Sequence, residues 1–90
     1  MHSARRYIIR GRVQGVGFRW FVESVAKAIG VRGWTRNLDD GTVEVYAVGE
    51  PEQHEELVSR LWVGPGAARV EDVRQQEAEI EKLSGFHIRG

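Results

Sequence analysis

The 90-residue sequence predicts an α+β fold, a two-layer sandwich in which an antiparallel sheet carries two helices on one face. Three features lead to that prediction. A strand-like alternation passes through a glycine-rich turn into helical spacing at Phe18, and an Asp40-Gly41 pair separates two further alternating runs. A second helical stripe then opens at Pro51 and closes at Gly64-Pro65-Gly66.

Each element follows from its own pattern. Tyr7, Ile9, Gly11 and Val13 share one parity while Arg10 and Arg12 share the other, which is the period of a half-buried strand. From Phe18 the period changes, because Phe18, Phe21, Val22, Val25 and Ile29 fall on one helical stripe and Gly30 supplies a stop. Residues 31–37 read as a second strand, and the Asp-Gly pair of a tight reversal joins it to Val43, Val45 and Ala47 in a hairpin. Pro51 suits a first helical turn, where its missing N–H costs nothing, and Glu52, Glu55 and Glu56 suit the positive end of the helix and its solvated face. Leu57, Val58 and Leu61 form the apolar stripe. Val70 and Val73 open a strand whose end is left undefined by polar residues, and Phe86 and Ile88 share a face in a short last strand. The order β-α-β-β-α-β, with room for a fifth strand, is that of a ferredoxin-like sandwich.

A chain of this size makes one domain, residues 1–90, with a single core. No run is long and apolar enough to span a bilayer, and the opening residues lack a signal-peptide stretch, so a cytoplasmic location and no membrane partner are expected. The absence of cysteine excludes disulfides, thiolate zinc sites and a thiolate nucleophile. Zero net charge hides a division. Residues 1–36 hold eight basic side chains against the acid Glu23, a balance of +7, and residues 37–90 hold five against twelve, a balance of −7. A basic half suits an anionic partner, and equally a surface on which the two signs intermix.

The turn at residues 14–19 has the ingredients of an anion site. Gly15 and Gly17 tolerate positive φ, which lets successive N–H groups of Gln14, Gly15, Val16, Gly17 and Phe18 turn inward as a nest. The following helix adds unpaired N–H groups and a partial positive charge, and Arg19 adds forked donors for a phosphate. Nucleotide motifs do not fit: a dinucleotide fingerprint needs glycine where Trp20 stands, and neither Lys27 nor Lys82 sits in a P-loop. Turn chemistry alone is equally compatible with a plain β-α connection bearing a solvated arginine.

The longer segment decides between them. Gly11-Arg12-Val13-Gln14-Gly15-Val16-Gly17-Phe18-Arg19 resembles the signature of the acylphosphatase family, and Gly33-Trp34-Thr35-Arg36-Asn37 resembles its second signature, with Thr35 for the usual Val. Asp40-Gly41-Thr42-Val43-Glu44 and Gly64-Pro65 with Ala68 and Val70 are similar to the family as well. The resemblance implies hydrolysis of a small-molecule acyl phosphate to a carboxylate and inorganic phosphate, without cofactor or metal; a monomer is expected, although the sequence itself leaves the oligomeric state open. It implies that Arg19 binds the phosphate and that Asn37 orients the attacking water. Leu38 stands where some members have a hydroxyl residue. The alternative is a non-catalytic phosphate or acyl-phosphate binding module, since the same domain occurs fused within larger proteins.

Other residues are assigned bland roles. His2, His54 and His87 share no metal-ligand spacing and read as surface or interfacial histidines, and Asp39 and Asp40 as turn residues. Trp20 and Trp34 either wall the pocket or pack. Tyr7 and Tyr46 occupy the central strands where RNA-binding sandwiches stack bases, but no RNP-type motif accompanies them, so no nucleic-acid partner is expected. If the last strand lies beside the start of the first helix, the Gly90 carboxylate pairs with Arg19.

Overall fold

The computed structural model describes residues 1–90. Its elements are β1 (Ser3–Arg12), α1 (Phe18–Ile29), β2 (Arg32–Asn37), β3 (Val43–Gly49), α2 (Pro51–Val63), β4 (Arg69–Ala78) and β5 (Phe86–Ile88). One sheet in the order β4-β1-β3-β2-β5 holds all the strands. β1 runs antiparallel to β3 and β4, and β2 antiparallel to β3, as the hairpin and the two interleaved β-α-β units require.

The sheet is not purely antiparallel, in contrast to the sequence-based expectation, because β5 pairs parallel to β2. The cause is where β4 ends. Ala78 lies opposite Ala4, Ala4 opposite Val48, and Val48 opposite Arg32, so β4 finishes at the edge of the sheet where β2 starts. Residues 79–85 cross that edge. Four strand spacings of ~4.8 Å are within reach of seven extended residues, and the chain then enters β5 in the direction of β2.

Strand parity places the core. Tyr7, Ile9 and Val13 with Val43, Val45 and Ala47 face the helices, and are buried against Val22, Val25 and Ala26 of α1 and Leu57 and Leu61 of α2. Each valine, leucine or isoleucine among them contributes on the order of 1.5–3 kcal/mol on burial. The opposite face carries a smaller cluster, in which Trp34 stacks on Tyr46 with ring centroids 5.5 Å apart. The Arg89 guanidinium lies 4.4 Å from the Trp34 centroid, tying the chain beyond β5 to the sheet. The Tyr46 hydroxyl donates to the Glu79 carbonyl and accepts from the Glu81 N–H at 2.7 Å, which holds residues 79–85 over this face. Neither tyrosine offers a ring to a nucleic-acid base: Tyr7 is in the core and Tyr46 is fully buried. The division of charge resolves here in part. The buried Glu44 carboxylate, from the acidic half, meets Arg6 Nε at 2.7 Å and Arg36 Nε at 2.6 Å, both from the basic half.

His54 corrects the surface role expected of it, for it is fully buried. It stands three residues before Leu57 and seven before Leu61, on the apolar stripe of α2. Its Nε2–H donates to the Ser3 carbonyl at 2.9 Å, which leaves Nδ1 to accept from the Tyr7 hydroxyl at 2.7 Å. Burial lowers the imidazole pKa below its ordinary 6.5, with Arg5 adding to the effect, while the Ser3 carbonyl opposes it. Burial also pushes the Tyr7 phenol up to about 12. At His54 the unfolded chain therefore binds a proton more readily than the folded one. The neutral imidazole's contribution is complete above pH 6.5 and is lost as pH falls from there toward the lower folded value. Urea unfolding between pH 7.5 and 5.5 is expected to show this decline, and His54→Gln to flatten it. Asp40 and Glu50, whose pKa values are lowered from 3.8 and 4.5, titrate below that window.

Candidate active site

The turn between β1 and α1 takes the conformation its glycines permit. Gly15 has φ +74° and Gly17, the N-cap of α1, has φ +78°, left-handed values that a Cβ resists. The N–H groups of Gly15, Val16 and Gly17 donate to no acceptor in the chain. Within α1 the first hydrogen bond runs from Phe21 N to Gly17 O at 3.0 Å. No side chain caps the helix and no acid stands in its first turn. The contrast with α2 is instructive. There Glu50 and Gln53 form a reciprocal capping box, Pro51 occupies the first turn and Glu52 compensates the dipole. One helix start is sealed by its own residues; the other is left as an array of open donors with uncompensated positive charge.

Arg19 and Asn37 converge on that array. A pocket of about 120 Å³ is lined by Val13, Gly15, Gly17, Phe18, Arg19, Trp20 and Asn37. Arg19 is half-buried and its guanidinium forms no ion pair or hydrogen bond within the chain. Asn37 closes β2, its backbone paired opposite Val43. Its Oδ1 is buried and has no hydrogen-bond partner. A buried acceptor left empty costs about 1–3 kcal/mol, and here it belongs to a residue that lines a pocket otherwise furnished with donors.

Gln14 and Val16 do not line the pocket. Val16 packs its side chain on the core while its N–H stays open. The Gln14 amide nitrogen donates to the Leu38 carbonyl at 2.8 Å and to the Thr42 carbonyl at 2.9 Å. Gln14 thus braces the glycine turn against the hairpin that presents Asn37. The hairpin is itself fastened by Asp40, whose Oδ1 accepts from Thr42 N at 3.0 Å and Thr42 Oγ1 at 2.6 Å, and these bonds lower the Asp40 pKa. Nothing in the spacing of Gln14 points to the brace, because its partners are carbonyls more than twenty residues away.

Trp20 and Trp34 part company. Trp20 lines the pocket and is 75% exposed, whereas Trp34 lies on the other face of the sheet, under Arg89, and walls no part of it. Thr35 is fully buried and its hydroxyl donates to the Glu44 carbonyl at 2.9 Å, so the departure from Val brings its own acceptor. The ion pair expected between the Gly90 carboxylate and Arg19 does not form, although α1 packs on β5. Larger hollows lie on the open face of the sheet. One of about 200 Å³ sets Arg10 and Arg74 against Asp40 and Asp72, opposite charges that do not converge on one anion.

Comparison with known proteins identifies the family. The profile of the acylphosphatase family matches residues 5–88. An acylphosphatase of Solibacter usitatus is 50% identical over 87 residues, covering 97% of this chain and 91% of the relative. The crystal structure of acylphosphatase from Bacillus subtilis superposes with a TM-score of 0.95 over all of both chains, at 36% identity. The full-length HypF crystal structure in its phosphate- and nucleotide-bound form matches all of this chain with 12% of its own length, at 26% identity and a TM-score of 0.90. With a family profile spanning nearly every residue and half the residues shared with a full-length relative, the chain belongs to the acylphosphatase family.

Proposed function

We propose that the N–H groups of residues 14–18 and the Arg19 guanidinium hold the phosphate of an acyl phosphate, and that Asn37 holds the water that attacks it. The reaction is the hydrolysis of an acyl phosphate to a carboxylate and inorganic phosphate. The observation that carries the assignment of residues is that Asn37, whose Oδ1 is buried and unpartnered, lines the same pocket as Arg19 and the open end of α1. An amide oxygen accepts a hydrogen bond from water without removing its proton, so Asn37 aligns the nucleophile and does not act as a base.

The chemistry needs little more. Water oxygen bonds to phosphorus as the P–O bond to the acyl oxygen breaks, and the acyl group departs as a carboxylate that requires no protonation. The water proton passes to a phosphate oxygen. Charge neutralisation and alignment dominate phosphoryl transfer, and open N–H groups with a guanidinium supply the first while Asn37 supplies the second.

We place the action on a small molecule, by a monomer, in the cytoplasm and within one domain of residues 1–90. No helix is long and apolar enough to cross a membrane. The test is to mix the protein with benzoyl phosphate without added metal and follow the loss of substrate. Acceleration over the uncatalysed rate is expected, saturable and inhibited by inorganic phosphate. Phosphate binding without acceleration would instead favour the non-catalytic module.

A further inference from the structure

We infer that Trp20 is the platform on which the acyl end of the substrate rests, so that the enzyme favours acyl phosphates with an aromatic or other broad planar acyl group over acetyl phosphate. This rests on the assignment of the phosphate and water sites above. In-line displacement places the attacking water and the departing carboxylate on opposite sides of phosphorus. The water site is assigned to Asn37, which lines the pocket and whose Oδ1 is buried away from solvent. The acyl group must therefore leave toward the mouth. Of the pocket's side chains, Trp20 is the large apolar one that reaches solvent, 75% exposed, while Val13 and Phe18 are core residues exposed by no more than 2%.

Nothing in the packing of α1 calls for a tryptophan at this position. The buried stripe of the helix is Phe18, Val22, Val25 and Ala26, and Trp20 points away from it. Its first-turn position nevertheless holds it beside the N–H groups that take the phosphate. The other pocket residues present glycine backbone, a guanidinium and an amide, all suited to the phosphate and the water. A flat carboxylic group attached to a ring is complementary to an indole face, and stacking of this kind gains selectivity beyond the area it buries.

The experiment compares kcat/KM for benzoyl phosphate and acetyl phosphate in the wild-type protein, Trp20→Ala and Trp20→Phe. Alanine is a good helix former at an exposed position, and circular dichroism checks that the fold is kept. The benzoyl-to-acetyl ratio is expected to fall roughly 3- to 10-fold in Trp20→Ala, mainly through KM for the aryl substrate, and to recover largely in Trp20→Phe. The inhibition constant of inorganic phosphate is expected to move less than about twofold. An unchanged ratio in an active Trp20→Ala, or an equal loss for both substrates, overturns the platform and leaves the phosphate and water sites standing. A wild-type protein that accelerates neither substrate overturns the hydrolytic reading and the platform together.

Discussion

Arg19→Ala is expected to lower kcat/KM for an acyl phosphate by at least ~10³-fold and to weaken inhibition by inorganic phosphate in parallel. One preorganised donor is worth ~10²–10³ in turnover, and a guanidinium brings two donors and a full charge. The guanidinium meets the phosphate charge in the ground state, so KM should rise, and its fork meets the transferring phosphoryl group more closely in the transition state, so kcat should fall as well. The fold should not. Arg19 makes no ion pair or hydrogen bond in the chain, and its neighbour Phe18 carries the core contact. The urea midpoint of Arg19→Ala is therefore expected within the error of the wild-type value. Arg19→Lys should recover part of the phosphate binding but little turnover, since a point charge on a flexible stem cannot reproduce the fork. Turnover within tenfold of wild type in Arg19→Ala would remove Arg19 from the site.

What was legible in the sequence follows from how local each cause is. Helix α1 runs between Phe18 and Gly30 as the spacing predicts, because the change of period and the left-handed C-cap both lie within it. The turn at Gly15 and Gly17 and the charge at Arg19 sit within five residues, so the left-handed turn and its open N–H groups could be read from them directly. Asn37 could not. No spacing links it to Arg19, and only the resemblance of its own segment singled it out; the structure brings it to the pocket through β2 and the Gln14 brace. The direction of β5 was hidden as well, since it depends on which edge residues 79–85 cross, and Tyr46 anchors that crossing from far away in sequence. His54 was misjudged for a simpler reason. Its polarity suggested the surface, although its helical position put it among leucines with two partners waiting in β1.

Asn37→Ala should separate binding from hydrolysis. If the amide holds only the water, its removal leaves the N–H groups of the turn and Arg19 in place, and the inhibition constant of inorganic phosphate should stay within about threefold. Turnover should fall by ~10²–10³, the loss expected when a nucleophile is no longer held in line. Stability offers an independent reading. The Oδ1 is buried and unpaired, so truncation removes a polar atom that has no partner and should not destabilise the fold; a gain of up to about 1 kcal/mol in urea unfolding is expected. Asn37→Asp should behave differently. A carboxylate in the lining of the pocket would repel the phosphate, so binding and turnover should fall together, most strongly above the pH at which the new group ionises. Near-normal turnover in Asn37→Ala would end its assignment to the water. Loss of phosphate binding in that variant would move Asn37 to the phosphate instead, and the buried oxygen would then need another explanation than a nucleophile waiting to be held.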